Sequence, residues 1–241
     1  MDAQGIKDAL EFIETSQRNQ PVLFVLAALG AWLTGFVQVI EYIRLCIRDK
    51  VNSAPLVVIL YLFADDAAVT ALHGRWFNDI GHPFFQQMWY GFLLSAVFEV
   101  IIIFLLLRHC RQQIFPGFNL AQSIGAYAFL QAVAIAFVLW LNDAMGDFFW
   151  LMTPMLCNAI GLVGAFGLLM HRRSRLGLSM AQAWALLLVN TIGNFLFFPM
   201  VSERFHTPYF MAFATALSLF GVVYVFLLWR APRVHSVAQA I

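Results

Sequence analysis

Seven stretches of about 20 apolar residues alternate with short polar connections, near residues 21–45, 54–75, 86–107, 121–143, 148–170, 179–201 and 209–229. Each is long enough, as a helix, to cross a hydrocarbon core of roughly 30 Å. The pattern predicts an all-α integral membrane protein, a seven-transmembrane-helix bundle forming one domain over 21–230. Residues 1–20 are polar, with a weak helical apolar stripe through Ile6, Leu10 and Ile13. They lack the basic start and apolar core of a signal peptide and read as an interfacial helix. Residues 231–241 read as a short tail.

The second stretch breaks the apolar pattern. Val57 to Trp76 reads VVILYLFADDAAVTALHGRW, with Asp65 and Asp66 side by side near its middle. A charged side chain at bilayer depth costs a few kcal/mol even on lenient insertion scales, so such residues face a bundle interior or a wet cavity and mark function. Neighbours on a helix point about 100° apart, so the two carboxyls cannot face one point. One is expected to face a cavity and the other a neighbouring helix.

Composition agrees with the pattern: 62% of residues are hydrophobic and 11% are charged, against about 25% charged in soluble domains. A net charge of +1 argues against a nucleic-acid partner. The 14 basic residues divide unequally between the two sets of connections. Ten fall on one side (Arg44, Arg48, Lys50, Arg108, Arg111, Arg172, Arg173, Arg175, Arg230 and Arg233) and four on the other (Lys7, Arg18, Arg75 and Arg204). The positive-inside rule then puts the N-terminus outside and the C-terminus in the cytoplasm. The membrane is a bacterial inner membrane or the endoplasmic reticulum.

Depth decides which polar residues can meet. At about 1.5 Å per residue, Asp66 lies roughly 18 Å from the cytoplasmic end of its helix and Glu99, on the third, roughly 12 Å. Asn158 and Asn190 reach a depth similar to that of Asp66, and Gln131 lies slightly lower. Asp66, Glu99 and Asp65 are the candidate catalytic acids. Asn158, Asn190 and Gln131 are candidate substrate contacts, or else hydrogen bonds between helices. No Lys occurs in the seven stretches and Arg appears only at their ends. The carboxyls therefore read as neutral acids or as groups that share protons with one another, the state a general acid needs. Of the tryptophans scattered through the helices (Trp32, Trp89, Trp140, Trp150 and Trp184), Trp89 and Trp184 are the expected cavity walls, where ring faces can stabilise a passing carbocation.

Several chemistries find no motif. The six histidines form neither HExxH nor a helical i, i+4 pair, and Cys46, Cys110 and Cys157 make no paired-cysteine site, so neither a metal nor another cofactor is expected. The seventh stretch has no lysine for a retinal Schiff base, no Pro-Gln dipeptide occurs, and no phosphate-cradling loop is present.

Two stretches carry a family resemblance. RDKVNSAPLVVILYLFADDA, Arg48 to Ala67, resembles the second-helix entry of the membrane-integral terpene cyclases of fungal meroterpenoid pathways. In that family an Asp-Lys pair is followed six residues on by proline and eleven further on by a catalytic glutamate, and Asp49, Pro55 and Asp66 keep those spacings. RRSRLGLSMAQAWALLLVNTIGN, Arg172 to Asn194, is similar to the family's Arg-Gly-x-Ser-Arg-Gly-Gln-Ser loop and the helix after it. Asp65 stands where the family has tryptophan, and Gly221, three residues before Tyr224, where it has a second acid. The resemblance implies an intramembrane cyclase or isomerase of a prenylated or polyene lipid, in which Asp66 protonates an epoxide or olefin. The alternative is a small seven-helix transporter or sensor that uses the carboxyls as a proton relay or ligand site.

Overall fold

The computed structural model describes residues 3–233, so residues 234–241 of the expected tail lie outside the described residues. The elements are α1 (Ala3–Asn19), α2 (Pro21–Asp49), α3 (Leu56–Ala71), α4 (Pro83–His109), α5 (Leu120–Ala144), α6 (Met152–Arg172), α7 (Met180–Val201) and α8 (Pro208–Arg230). Among the described residues there is no strand.

Local chemistry sets these ends. Pro21, Pro83 and Pro208 stand in the first turn of α2, α4 and α8, where a missing N–H costs nothing. The side chains of His82, Ser179 and Thr207 accept N–H groups at the starts of α4, α7 and α8, and Asn119 with Gln122 closes a capping box on α5.

Six helices (α2, α4, α5, α6, α7 and α8) are long and apolar enough to cross a membrane. Their outer faces stay apolar: Leu26 and Leu33 on α2, Val97 and Phe104 on α4, Phe129 and Val133 on α5 and Leu219 on α8 are all exposed. This is the build of a multi-pass membrane protein. The second expected span is the exception. Helix α3 has only 16 residues, roughly 24 Å at about 1.5 Å each, and beyond it the chain turns into a π-helical piece, Arg75–Ile80. The fifth also differs, since α6 starts at Met152 rather than at 148, leaving Phe148 to Leu151 in a connection.

Five helices close a ring in the order α4, α2, α7, α6, α3, each packed on the next. Helix α5 covers α3 and α8 covers α7 from outside. Helix α1 lies against α2 and the end of α7, with Ile13 buried and Ile6 and Leu10 packed on the core. Gly221 lets α8 come close to α7: a Cβ there would meet Leu187 Cδ1 at 2.8 Å.

The ten-residue basic set gathers at one end and is knitted together there. Arg172 Nη2 donates to the Asn52 carbonyl (2.6 Å) and Nη1 to that of Leu176 (2.8 Å). Asp49 pairs with Arg48 and accepts the Gly177 N–H at 2.8 Å. Gln113 donates to the Lys50 carbonyl, and Arg175 to the carbonyls of Leu228 and Trp229. The two stretches that carry the family resemblance thus touch each other. Gly177 is required twice, by a φ of +70° and because a Cβ would stand 2.5 Å from Arg172 Nη1.

Candidate functional site

The ring lines a half-open cavity of about 150 Å³. Trp32, Phe36 and Gly35 of α2, Phe92 of α4, Leu151 and Phe197 give it a mostly apolar wall, into which Asp65, Asp66, Ser95, Gln38 and Asn158 bring polar groups.

Asp65 and Asp66 both reach this wall and diverge as successive helical positions must. Asp65 is 1% exposed, and its Oδ1 accepts the indole N–H of Trp150 at 2.7 Å. The Thr153 hydroxyl stands beside Asp65. Asp66 turns the other way, toward Ser95 and Glu99 on α4. Glu99 is 1% exposed and lies behind Asp66 rather than on the cavity wall, with the Asp66 carboxyl as its polar neighbour. Among the described residues no Lys, Arg or His forms an ion pair with any of the three. Depth arithmetic that separates Asp66 from Glu99 by about 6 Å along the axis leaves them side by side because α3 and α4 pack together.

Trp150 is the residue the sequence reading missed. Its apolar neighbours blend into the following span, so it reads as part of a helix, whereas it sits in the connection before α6 with φ +54°. A left-handed backbone on a bulky side chain is rare and costs on the order of 1–3 kcal/mol. Here the conformation is fixed from both sides: the indole is fully buried and bonded to Asp65, and the backbone N–H donates to the Asp147 carbonyl at 3.0 Å. Asp147 in turn accepts the Met152 N–H at 2.6 Å and caps α6. Burial pushes the Asp147 carboxyl above its ordinary range, against the backbone N–H groups of Leu151, Met152 and Thr153 that favour its charged form. The guanidinium of Arg75 lies over the Trp150 ring, 5.9 Å from its centroid.

The other candidates separate. Asn158 lines the cavity. Asn190 is behind it, donating to the Asn158 carbonyl (3.2 Å) and to that of Leu186 (2.8 Å). Gln131 is a strut between helices: its Nε2 donates to the Leu60 carbonyl (3.0 Å) and its Oε1 accepts from Tyr127 (2.8 Å). Trp89 belongs to a cluster with His73, Phe77 and Tyr90 and donates to the Thr70 carbonyl, off the cavity. Trp184 is 50% exposed on the outer face of α7. The rings that do line the cavity are those of Trp32, Phe36, Phe92, Trp150, Phe197 and Phe198. Among the described residues no group of three or more His, Cys, Asp or Glu is placed to hold a metal ion. Gly221 is packed on Leu187 away from the cavity.

Fold and site together define a helical, multi-pass build with a buried carboxyl group on an aromatic-rich internal wall. Comparison of the chain with family models, with curated proteins and with solved structures gives no match.

Proposed function

We propose that the protein is an intramembrane acid catalyst, a cyclase or isomerase of a prenylated or polyene lipid, in which all seven apolar stretches cross the bilayer, the N-terminus lies outside and the C-terminus is cytoplasmic. The observation that carries this reading is Asp66: a buried carboxyl on an apolar, ring-lined cavity wall, next to a second carboxyl and with no cation paired to it. A general acid must reach the atom it protonates, and a developing carbocation is stabilised by aromatic faces around it. A cavity of about 150 Å³ has room for a group of roughly benzene size. The substrate therefore places its reacting end inside, with the rest of its chain beyond the cavity. Asp65, anchored to Trp150, fixes the geometry of the wall, and Glu99 is the base that takes back a proton through Asp66. Asn158 is the polar contact for an epoxide or hydroxyl oxygen.

The test is conversion by purified protein in nanodiscs. Prenyl-epoxide and polyene substrates are offered and products read by mass spectrometry, with conversion expected for the parent protein. Proton-coupled flux in liposomes without any conversion would overturn the enzyme reading in favour of a transporter. Topology is tested separately: cysteine labelling from outside should reach a residue placed at Asp79 and miss one near Ser174, at the exposed Arg173.

A further inference from the structure

A second line of buried polar groups starts at the cavity and runs toward the basic end, through α2 and α7. Gln38 lines the cavity while being only 3% exposed, and its Nε2 donates to the Tyr42 hydroxyl at 2.9 Å. Tyr42, one helical turn on, also lies within reach of the Gln182 side chain of α7. Gln182 is 0% exposed, and its Nε2 donates to the Ser53 carbonyl at 3.4 Å. Ser179 begins the same helical turn, and its hydroxyl donates to Glu41, which is paired with the exposed Arg44.

Two features separate this line from ordinary helix glue. Two buried polar atoms along it have no partner, the Oε1 of Gln182 and the hydroxyl of Tyr224, which lies within electrostatic range of Tyr42. An unpaired buried polar atom costs about 1–3 kcal/mol, and in native proteins such atoms commonly mark a water position. In addition, α6 is cut back to make space: a Cβ at Gly161 would stand 3.1 Å from Gln38 Nε2.

We infer that Gln38, Tyr42, Gln182 and Tyr224 form a water-holding proton relay that connects the carboxyl cavity to the aqueous surface at Glu41 and Arg44. Its use rests on the acid-catalyst reading, but its existence does not. A proton given by Asp66 to a substrate leaves a carboxylate, which a proton entering from bulk water along the line restores. The proton lost by the cation when the product forms passes through Asp66 to Glu99 and then leaves by the same route, so each turnover takes up one proton and releases one. The relay removes the need for the acid to recover its own proton from a product that has moved.

The test follows carboxyl hydrogen–deuterium exchange by infrared spectroscopy of the full protein in nanodiscs after transfer to D2O. The carboxyl C=O bands are assigned by their loss in Asp66→Asn and Glu99→Gln. Tyr42→Phe and Gln38→Met should each slow exchange of those bands by roughly tenfold or more, since the first removes a hydroxyl that passes a proton and the second an amide that holds the adjoining water. The direction is diagnostic, because a variant that merely loosens packing opens more often and exchanges faster. The amide band in the same spectra reports whether each variant is folded, and Tyr224→Phe gives a third, independent measurement. Slowed exchange without lipid conversion keeps the relay and sinks the catalyst. Unchanged or faster exchange in the folded variants, or no exchangeable carboxyl band assignable to Asp66 or Glu99, overturns the relay.

Discussion

Asp49 and Asp66 are buried to nearly the same degree, 4% and 6% exposed, yet their surroundings differ in kind. Asp49 has an arginine and a backbone N–H on its carboxylate, and the neighbouring Arg172 spends its guanidinium on two carbonyls. Around Asp66 there is no cation: its neighbours are the Ser95 hydroxyl and the Glu99 carboxyl, and the space in front of the acid is a cavity. Polar groups that only hold a fold together are brought to saturation, since each unsatisfied one costs stability. Those kept open at that cost are the ones with something to bind or transfer. Within Arg48 to Ala67 the paired acid lies at the basic end and the unpaired ones at mid-helix.

The sharpest way to break this contrast is to remove the acid. Asp66→Asn fills the same space and cannot deliver a proton, so turnover should fall by about 10²–10⁴-fold while the protein stays folded. Turnover is measured on the lipid substrate and folding by thermal unfolding in detergent. A variant that keeps most of the parent's rate removes Asp66 from the chemistry.

At the saturated end the opposite readout should move. Arg172→Met leaves the carbonyls of Asn52 and Leu176 without their donor, at a cost on the order of 3 kcal/mol. The unfolding temperature should drop clearly, whereas turnover per folded molecule should stay near that of the parent. Lost turnover at unchanged stability would mean that the basic end takes part in the reaction, and the contrast would fail.

Six of the spans were legible in the sequence, and so was the divergence of the two acids, because both follow from local rules; the expectation that only one acid faces the cavity fails, since Asp65 and Asp66 both reach its wall. Apolar length marks a span, and successive positions on a helix diverge, as Asp65 and Asp66 do. What could not be read were the partners. Gln131 and Asn158 lie on helices at comparable depth, and only the packing of α5 on α3 turns the first into a strut while α6 gives the second to the cavity. Trp184 is as apolar as any core residue, yet it faces outward because a membrane helix presents apolar side chains on both faces. Trp150 was hidden because nothing in its own neighbourhood announces a left-handed backbone, the Gly146-Asp147 pair four residues earlier being the one turn signal.

Gly221 sharpens the comparison from a third position. If it were a site emptied of its acid, Gly221→Asp would restore a functional carboxyl. The packing predicts instead a clash with Leu187, because a Cβ alone would stand 2.8 Å from that side chain. Overpacking of this kind costs about 1–3 kcal/mol. The variant should therefore unfold at lower temperature and gain no activity; a rise in turnover would show that α8 faces the substrate.

Glu99→Gln should have the smallest effect and tests the open half most finely. Glu99 does not touch the cavity, so the exchange leaves the wall and the substrate's contacts in place. It removes the group that stands next to Asp66 and can take a proton from it. If initiation belongs to Asp66 alone, substrate binding should be unchanged, with KM near the parent value. The steps after initiation should suffer, with turnover down by about fivefold, or roughly 1 kcal/mol on the barrier, and with a changed ratio of products. The amide keeps the size of the carboxyl and can donate an N–H to Asp66, so the fold should be at least as stable as before. Lower stability with an unchanged product ratio would make Glu99 a structural group. The openness of the Asp66 side would then have to be explained by the cavity alone.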